Sequence, residues 1–388
     1  MKMLNVLEGK GWNGLQEIII FGFGRQGKKA IKTLKKDFYI KAIIENDKTK
    51  VGSSIDNIPI LQFENSISDL LIKYKIIITT SERYYKEIAQ QLQVLGLKEN
   101  RDFVMYKQFI FEWYFRFRNK LYIPKTDLPI TSFCSLNCEK CHIFIPYWKH
   151  KSDYKLDTLK HSIDLYFRYV DYVLDMDILG GEPLLYKYID EIIEYIGDNY
   201  REQIGYLGLI TNGTIIPKNS TMELIRKFNI NVSISDYSQE LNYKEKVDNL
   251  CDKLEKAQIR YLRNTDIVWF DFGLPTDKIR YVGEQAAKHM NCCNTIYHVI
   301  HEGKFYCCGT AWAAQKSGLF PNSDYGYVDL ENEESDNYEI KKKILECSLG
   351  IVQNGYLEFC QVCGGFGSDN TIRVNTAQQI GKDNNKNE

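Results

Sequence analysis

The sequence predicts an α/β protein built on parallel sheets, and three observations predict it. Residues 17–23, EIIIFGF, form an apolar strand that runs into Gly22-Phe23-Gly24-Arg25-Gln26-Gly27 and then a helix pattern. From residue 128 onward, apolar strand-like runs alternate with amphipathic helical stretches at a βα cadence. The polar motifs of that second region fall at the carboxyl ends of its strands, where parallel sheets carry their ligand sites.

At the N-terminus the order is strand, glycine turn, helix, strand, acid. The helix pattern KKAIKTLKK follows the glycines, and a second strand, 39–44, ends at Glu45-Asn46-Asp47. Gly22, Gly24 and Gly27 would let backbone N–H groups approach a phosphate, and Glu45 is spaced to meet a ribose. KIIITT and the helix-like SERYYKEIAQQLQVLG supply a further βα unit. The reading is a Rossmann-like half-domain over 1–118 that holds a nucleotide, or a scaffold or docking module that holds none. Nothing supplies a second mononucleotide-binding half, which argues against a full NAD-dependent dehydrogenase. The domain resembles the small nucleotide-binding domains that precede bacterial sugar-modifying enzymes. It ends in FIFEWYFRF (109–117), read as a domain-interface patch, and 119–127 reads as a linker.

Composition narrows the partners. In 388 residues, 50 lysines and arginines stand against 51 acids, so no basic field draws nucleic acid or membrane phosphate. No apolar run reaches the length of a membrane span, and MKMLNVLEGKGWNG lacks a hydrophobic signal core. A cytoplasmic location is expected. In that reducing setting, 11 cysteines point to metal ligation over disulfides.

The loop after the strand at 128 holds Cys134, Cys138 and Cys141, a Cys-x-x-x-Cys-x-x-Cys triplet. Three thiolates are one short of a closed tetrahedral site; a structural zinc fills four positions. A four-iron cubane held by three cysteines keeps one iron open to an outside ligand. A zinc site with His142 as fourth ligand is the alternative, although adjacent residues rarely both reach one metal. The triplet resembles the radical S-adenosylmethionine (SAM) superfamily, whose cluster motif follows the first strand of a partial (βα) barrel. One departure is Lys140, at a position usually aromatic in that family.

That resemblance implies a partial barrel over 128–285. The strand at 170–179 ends in Gly180-Gly181-Glu182-Pro183, the one at 203–210 in Thr211-Asn212-Gly213-Thr214, and the fourth is INVSISD. IRYL and DIVWFDF are further strands. Two glycines together leave backbone open to a ligand. The resemblance assigns Gly180, Gly181, Glu182 and Pro183 to the methionyl amine of SAM, and Asn212 and Ser235 to its carboxylate and ribose. Turn chemistry alone is the competing account of Asn212 and Ser235.

Farther along, Cys292-Cys293 and Cys307-Cys308 flank NTIYHVIHEGKFY, a hairpin turning at Glu302-Gly303, and Cys360-Gln361-Val362-Cys363 lies downstream. The pattern resembles the "twitch" domain of some radical SAM enzymes, a shorter relative of SPASM, assigned to 286–366 as a small β-hairpin domain. It implies an auxiliary [4Fe–4S] cluster on Cys293, Cys308, Cys360 and Cys363. Neighbouring strand residues face opposite ways, so one cysteine of each pair ligates, and spacing selects Cys293 and Cys308 over Cys292 and Cys307. A Cys₄ zinc site has the same look. Cys251 and Cys347 sit on helix patterns as core residues, and 367–388 reads as a polar, disordered tail.

The resemblance implies two [4Fe–4S] clusters, SAM, and a 5′-deoxyadenosyl radical that takes hydrogen from substrate. With the auxiliary cluster accepting an electron, the expected reaction is dehydrogenation of an alcohol carbon. The N-terminal domain inclines the substrate toward a small carbohydrate-like molecule: a sugar, nucleotide-sugar or aminocyclitol. An external electron donor such as flavodoxin or ferredoxin is implied. Redox-neutral epimerisation with a hydrogen donor among Cys251, Cys292, Cys307 and Cys347, maturation of a ribosomal peptide, and a non-catalytic zinc- or cluster-binding protein are the other readings. The catalytic base is not assigned.

Overall fold

The computed structural model describes Leu7 and residues 11–80, 82–275, 278–293, 298–322, 326–332, 337–367 and 369–381, without the side chains of Arg25, Asn65, Glu82 and Arg83. The chain divides into two compact units, one ending at Tyr122 and the other beginning at Ile123.

The first unit runs β1 (Glu17–Phe21), α1 (Arg25–Leu34), β2 (Tyr39–Glu45), β3 (Ser54–Ile55), β4 (Ile58–Gln62), α2 (Ser68–Lys73), β5 (Lys75–Ile78), α3 (Glu82–Val94), β6 (Phe103–Met105) and α4 (Tyr106–Arg118). Its sheet has the order β3-β4-β2-β1-β5-β6, parallel throughout except for β3 against β4. The unbroken apolar run Ile18–Phe21 is what a strand covered on both faces requires, and all four residues are buried. Two glycines of the first turn are explained by space. Gly22 has φ +109°, and a Cβ on Gly27 would stand 2.1 Å from the Gly22 carbonyl oxygen.

The aromatic run read as an interface patch is instead the core helix α4. Phe109, Phe111, Trp113 and Tyr114 are at most 1% exposed, and their rings meet Trp12 and Phe38 of the same unit. A helix apolar on all sides is one that is wrapped on all sides. Its one acid, Glu112, is buried as well and accepts the Leu7 N–H at 2.9 Å.

The second unit runs β7 (Tyr122–Pro129), α5 (Leu156–Tyr169), β8 (Tyr172–Leu179), α6 (Ile189–Tyr200), β9 (Ile204–Thr211), α7 (Asn219–Lys227), β10 (Asn231–Ser235), α8 (Lys244–Lys256), β11 (Tyr261–Asn264), β12 (Trp269–Phe270), α9 (Glu284–Cys293), β13 (Val299–His301), β14 (Lys304–Tyr306), α10 (Gly309–Ser317), β15 (Tyr327–Asp329), α11 (Asn337–Ser348) and β16 (Arg373–Val374). Its main sheet is ordered β11-β10-β9-β8-β7-β13-β14-β15. Strands β8 through β11 run parallel to one another, and β13 runs parallel to β7. β14 and β15 then alternate in direction.

Several expectations change here. The stretch 119–127 is not all linker, because β7 starts at Tyr122; Lys125, Thr126 and Asp127 break the apolar pattern although Thr126 and Asp127 are fully buried. The hairpin β13–β14 is no separate module but extends the barrel sheet beside β7. Cys292 and Cys293 end helix α9, so strand alternation does not govern that pair. Cys307 and Cys347, expected as thiols, form a disulfide between the end of β14 and α11. The polar tail is also structured as far as Gly381: β16 pairs with β12, and Gln379 bridges to Cys138. Residues 382–388 lie outside the described ones.

Replacing Gly27 by Ala should lower the stability of the N-terminal unit by about 1–3 kcal/mol, since α1 must lift off the Gly22 carbonyl. The urea midpoint of that unit's transition measures it.

Candidate functional site

The cluster loop leaves the end of β7 and is held edge to edge by the turn that ends β8. The Gly181 N–H donates to the Thr131 carbonyl at 2.9 Å, and the Glu182 N–H to the Phe133 carbonyl at 2.7 Å. Cβ atoms on Gly180 and Gly181 would lie 2.5 Å and 2.3 Å from those same two carbonyl oxygens. The missing side chains therefore serve the approach of one backbone to another.

Glu182 is fully buried and ties two strand ends together. Its carboxylate accepts from the Thr211 hydroxyl at 2.8 Å, the Asn212 N–H at 2.8 Å and the Leu184 N–H at 3.2 Å. Burial pushes its pKa up to about 7 against these three donors, which favour the charged form. Asn212 extends from the same junction: its amide donates to Ser135 Oγ at 3.1 Å and lies 3.7 Å from Cys134 Sγ, while its oxygen accepts from the Thr214 hydroxyl. Ser235, at the end of β10, shares a hydrogen bond with Tyr237. Pro183 opens the short turn behind Glu182 and is buried. The motifs GGEP, TNGT and CxxxCxxC thus meet at one end of the sheet.

Burial raises the Cys134 and Cys138 thiols to about 12, and the charge of Cys141 raises both further. Each sulfur faces N–H donors. Cys134 has the Leu136 N–H at 3.5 Å, Cys138 has the Gln379 amide at 3.1 Å, and Cys141 has the N–H groups of 143–145. Lys140 is engaged elsewhere, 3.5 Å from Asp271. His142 packs near Phe272 and Phe366, with its pKa pushed down to about 4 by burial and by Lys125.

Cys293, Cys308, Cys360 and Cys363 come from three places in the chain and line one cavity of about 290 Å³ with Met290 and Phe359. The Gly365 N–H reaches Cys363 Sγ and the Phe366 N–H reaches Cys293 Sγ, both at 3.2 Å. Cys308 stands at the N-cap of α10; burial raises its thiol, and the N–H groups of Thr310 and Ala311 work against that by favouring the thiolate. Cys292 points instead toward Gly367 and Asp369. Among the described residues no three His, Cys, Asp or Glu side chains gather about a single metal ion.

Sequence reasoning passes over a charged face inside the sheet. Lys125 of β7 lies 2.8 Å from Asp177 of β8 and 3.6 Å from Asp127. A Cβ on Gly208 of β9 would sit 2.0 Å from the Asp177 carboxylate, so that glycine leaves it room. Asn264 of β11 donates to Ser233 at 3.1 Å on the same face. A signal for it exists: Asp175 and Asp177 interrupt the apolar run VDYVLDMDIL at alternate positions, which turns both to one side of a strand.

A model of the Radical SAM superfamily matches residues 128–280. Residues 128–280 are a radical SAM domain. Ahead of it, residues 14–103 match the family "C2185-like, N-terminal". An uncharacterized protein of Methanocaldococcus jannaschii is 34% identical over 116 residues, which is 30% of this chain and 39% of that protein. The chain therefore spans well under half of the length of that curated relative. Among solved structures, BtrN in complex with AdoMet and 2-DOIA aligns with TM-score 0.43 and 17% identity over 64% of this chain and 95% of that one. The complex of anSMEcpe with AdoMet and Kp18Cys peptide gives 0.39 and 14% over 62% and 88%. Streptococcus suis SuiB bound to S-adenosylmethionine gives 0.30 and 16% over 57% and 47%. These are distant likenesses.

The radical SAM domain implies a [4Fe–4S] cluster and SAM, and its cysteine loop fits the cluster. Cubane thiolates bind different irons, so they need not converge on one point, and their sulfurs want N–H donors, which all three have. Iron would displace the thiol protons that burial now retains. No helix among the described residues is long and apolar enough to cross a membrane.

In the N-terminal unit, Glu45 sits at the end of β2 beside the glycine turn, but its carboxylate is occupied. It accepts the Phe23 N–H at 2.8 Å, the Asn46 N–H at 2.9 Å and the Asp47 N–H at 3.1 Å. Gly24 caps α1 without a side-chain bond.

Glu182 sets a pH dependence. Its folded pKa lies above the ordinary 4.5, so the stability it lends is complete below about pH 4.5 and is lost as pH rises through about 7. The loss is on the order of 3 kcal/mol. Metal-free Glu182→Gln should show a flatter urea midpoint between those pH values than the parent, whatever its absolute stability.

Proposed function

We propose that the chain is a radical SAM enzyme that oxidises an alcohol carbon of a sugar, nucleotide-sugar or aminocyclitol, with an auxiliary cluster as electron acceptor. One observation carries the reading: a loop offering three thiols and a cavity lined by four occur in the same compact unit. Three thiols leave a cubane one open corner, and SAM bound there supplies a 5′-deoxyadenosyl radical that removes a hydrogen atom from substrate. Four thiols leave no open corner, which suits a cluster to receiving one electron. Hydrogen atom, electron and hydroxyl proton then leave the alcohol, and a ketone remains; the proton passes to water or to a carboxylate of the charged face.

The chain's own residues have distinct duties. Cys134, Cys138 and Cys141 would hold the first cluster, and Cys293, Cys308, Cys360 and Cys363 the second. Gly180, Gly181, Glu182, Pro183, Asn212 and Ser235 would line the SAM site, with Asn212 spanning from the sheet end to Ser135. Lys125, Asp177, Ser233 and Asn264 offer hydrogen bonds of both polarities to a polyhydroxylated substrate. The glycine turn at Gly22, Gly24 and Gly27 supports a nucleotide or sugar connection, with flavodoxin or ferredoxin as electron donor in a cytoplasmic setting.

Epimerisation finds less support. Of the cysteines that could return hydrogen to substrate, Cys307 and Cys347 are joined, Cys251 is buried in α8, and Cys292 turns toward Asp369.

After anaerobic reconstitution, about eight irons per chain and SAM-dependent 5′-deoxyadenosine are expected. Cys134→Ala should lose about four irons and the deoxyadenosine. Cys360→Ala should lose about four irons, keep SAM cleavage, and fail to yield a product two mass units lighter. Two zincs and no deoxyadenosine would end the proposal, and unchanged product mass with solvent deuterium incorporated would replace oxidation by epimerisation.

A further inference from the structure

The stretch 372–381 is polar, yet it is built into the cluster loop. Its first part is fixed to the chain around β12: β16 pairs with Trp269–Phe270, Asp271 N–H donates to the Ile372 carbonyl at 2.9 Å, and Thr376 Oγ1 to the Ile267 carbonyl at 2.9 Å. Ala377, wholly buried, anchors the turn that follows. The chain then runs antiparallel to the loop. Glu139 N–H donates to the Gln378 carbonyl at 2.7 Å, and Ile380 N–H to the Asn137 carbonyl at 2.9 Å. Gln379 lies directly across from Cys138, 241 residues away in sequence.

The Gln379 side chain has one orientation that satisfies its neighbours. Its oxygen accepts the Asn137 N–H at 2.7 Å, which turns the amide nitrogen toward two acceptors: the Ala377 carbonyl at 2.8 Å and Cys138 Sγ at 3.1 Å. Flipping the amide would set N–H against N–H and oxygen against oxygen. Cys138 is only 7% exposed, and the Gln379 amide donates to its sulfur from the C-terminal stretch.

The geometry points to Gln379 as a positioning residue for the SAM-binding cluster: an N–H donated from the C-terminal strap to the sulfur of Cys138 that both fixes the loop and makes the cluster easier to reduce. This rests on the preceding reading that Cys134, Cys138 and Cys141 carry the cluster. The physical reason is that an N–H pointed at a cluster sulfur offsets the negative charge that reduction adds, and hydrogen bonds to sulfur are among the factors that set such potentials. The donor comes from outside the loop, so loop position and cluster potential depend on the same residue.

Gln379→Glu tests it, because it keeps an oxygen for the Asn137 N–H and replaces the donor by a carboxylate oxygen. The full-length protein is reconstituted anaerobically, and the cluster signal that shifts on SAM addition is followed by electron paramagnetic resonance in a potentiometric titration. The variant is expected to load iron as the parent does, with its reduced fraction at a fixed low poise down about tenfold. A titration that overlays the parent's overturns the inference. A parent signal that ignores SAM instead removes the reading of the preceding subsection, and it is seen before any variant is compared. A second arm needs no cluster: in metal-free Gln379→Leu, alkylation of Cys138 relative to buried Cys251, read by peptide mass spectrometry, should rise several-fold. An unchanged ratio counts against the strap.

Discussion

The radical SAM domain depends on one close approach, that of the Gly180–Glu182 backbone to Thr131–Phe133. Two N–H···O bonds hold the strand ends together where any Cβ would collide with a carbonyl oxygen. The cysteine loop begins at the next residue, so its origin is set by main chain on both sides. Glu182 carries the constraint one strand farther by accepting from Thr211 and Asn212. A buried carboxylate is costly unless donors surround it, and three donors surround this one. They offset part of that cost, at the junction where Asn212 reaches back to Ser135 and Cys134.

The sheet also determines where each cysteine set leaves it. Cys134 follows the carboxyl end of β7. β13 runs parallel to β7, with Val299 level with Asp127, and β14 returns antiparallel with Tyr306 opposite Val299. Cys308 therefore leaves the sheet on the side from which β13 enters; Phe366, whose N–H reaches Cys293 Sγ, packs near His142 beside Cys141. The charged face of Lys125, Asp127 and Asp177 lies along β7 and β8.

What is legible in the sequence follows from how each feature is encoded. The glycine turn, the cysteine spacings and the βα cadence are local patterns, and each stands in the fold at its expected place along the chain. β7 begins several residues before the expected strand because its inward face is ionic, so apolar periodicity fails where Lys125 and Asp127 point into the sheet. The aromatic run of α4 reads as a surface patch because a helix buried on all sides has no polar stripe to mark its direction. The disulfide of Cys307 with Cys347 and the pairing of Gln379 with Cys138 are hidden for another reason. Both are contacts across long stretches of chain, made by residues whose neighbours carry no pattern. A stretch such as NTAQQIG looks disordered by composition, but main-chain hydrogen bonds to an exposed loop edge do not need apolar side chains.

The thiols themselves explain why these donors are in place. Burial holds Cys134 and Cys138 far above the ordinary thiol range, so the metal-free protein keeps them neutral. On the proposed reading, loading a cluster would exchange those protons for iron and leave a centre of net negative charge in a poorly solvated place. Solvent cannot respond there, so fixed dipoles must. Asn212 at Cys134, Gln379 at Cys138, the turn at 143–145 around Cys141, and Gly365 and Phe366 at Cys363 and Cys293 already aim N–H groups at sulfur. Because those groups are held by strands, turns and a long-range bridge, they need little reorganisation when charge arrives. A site whose sulfurs were merely exposed would bind iron as readily but would leave its potential to water.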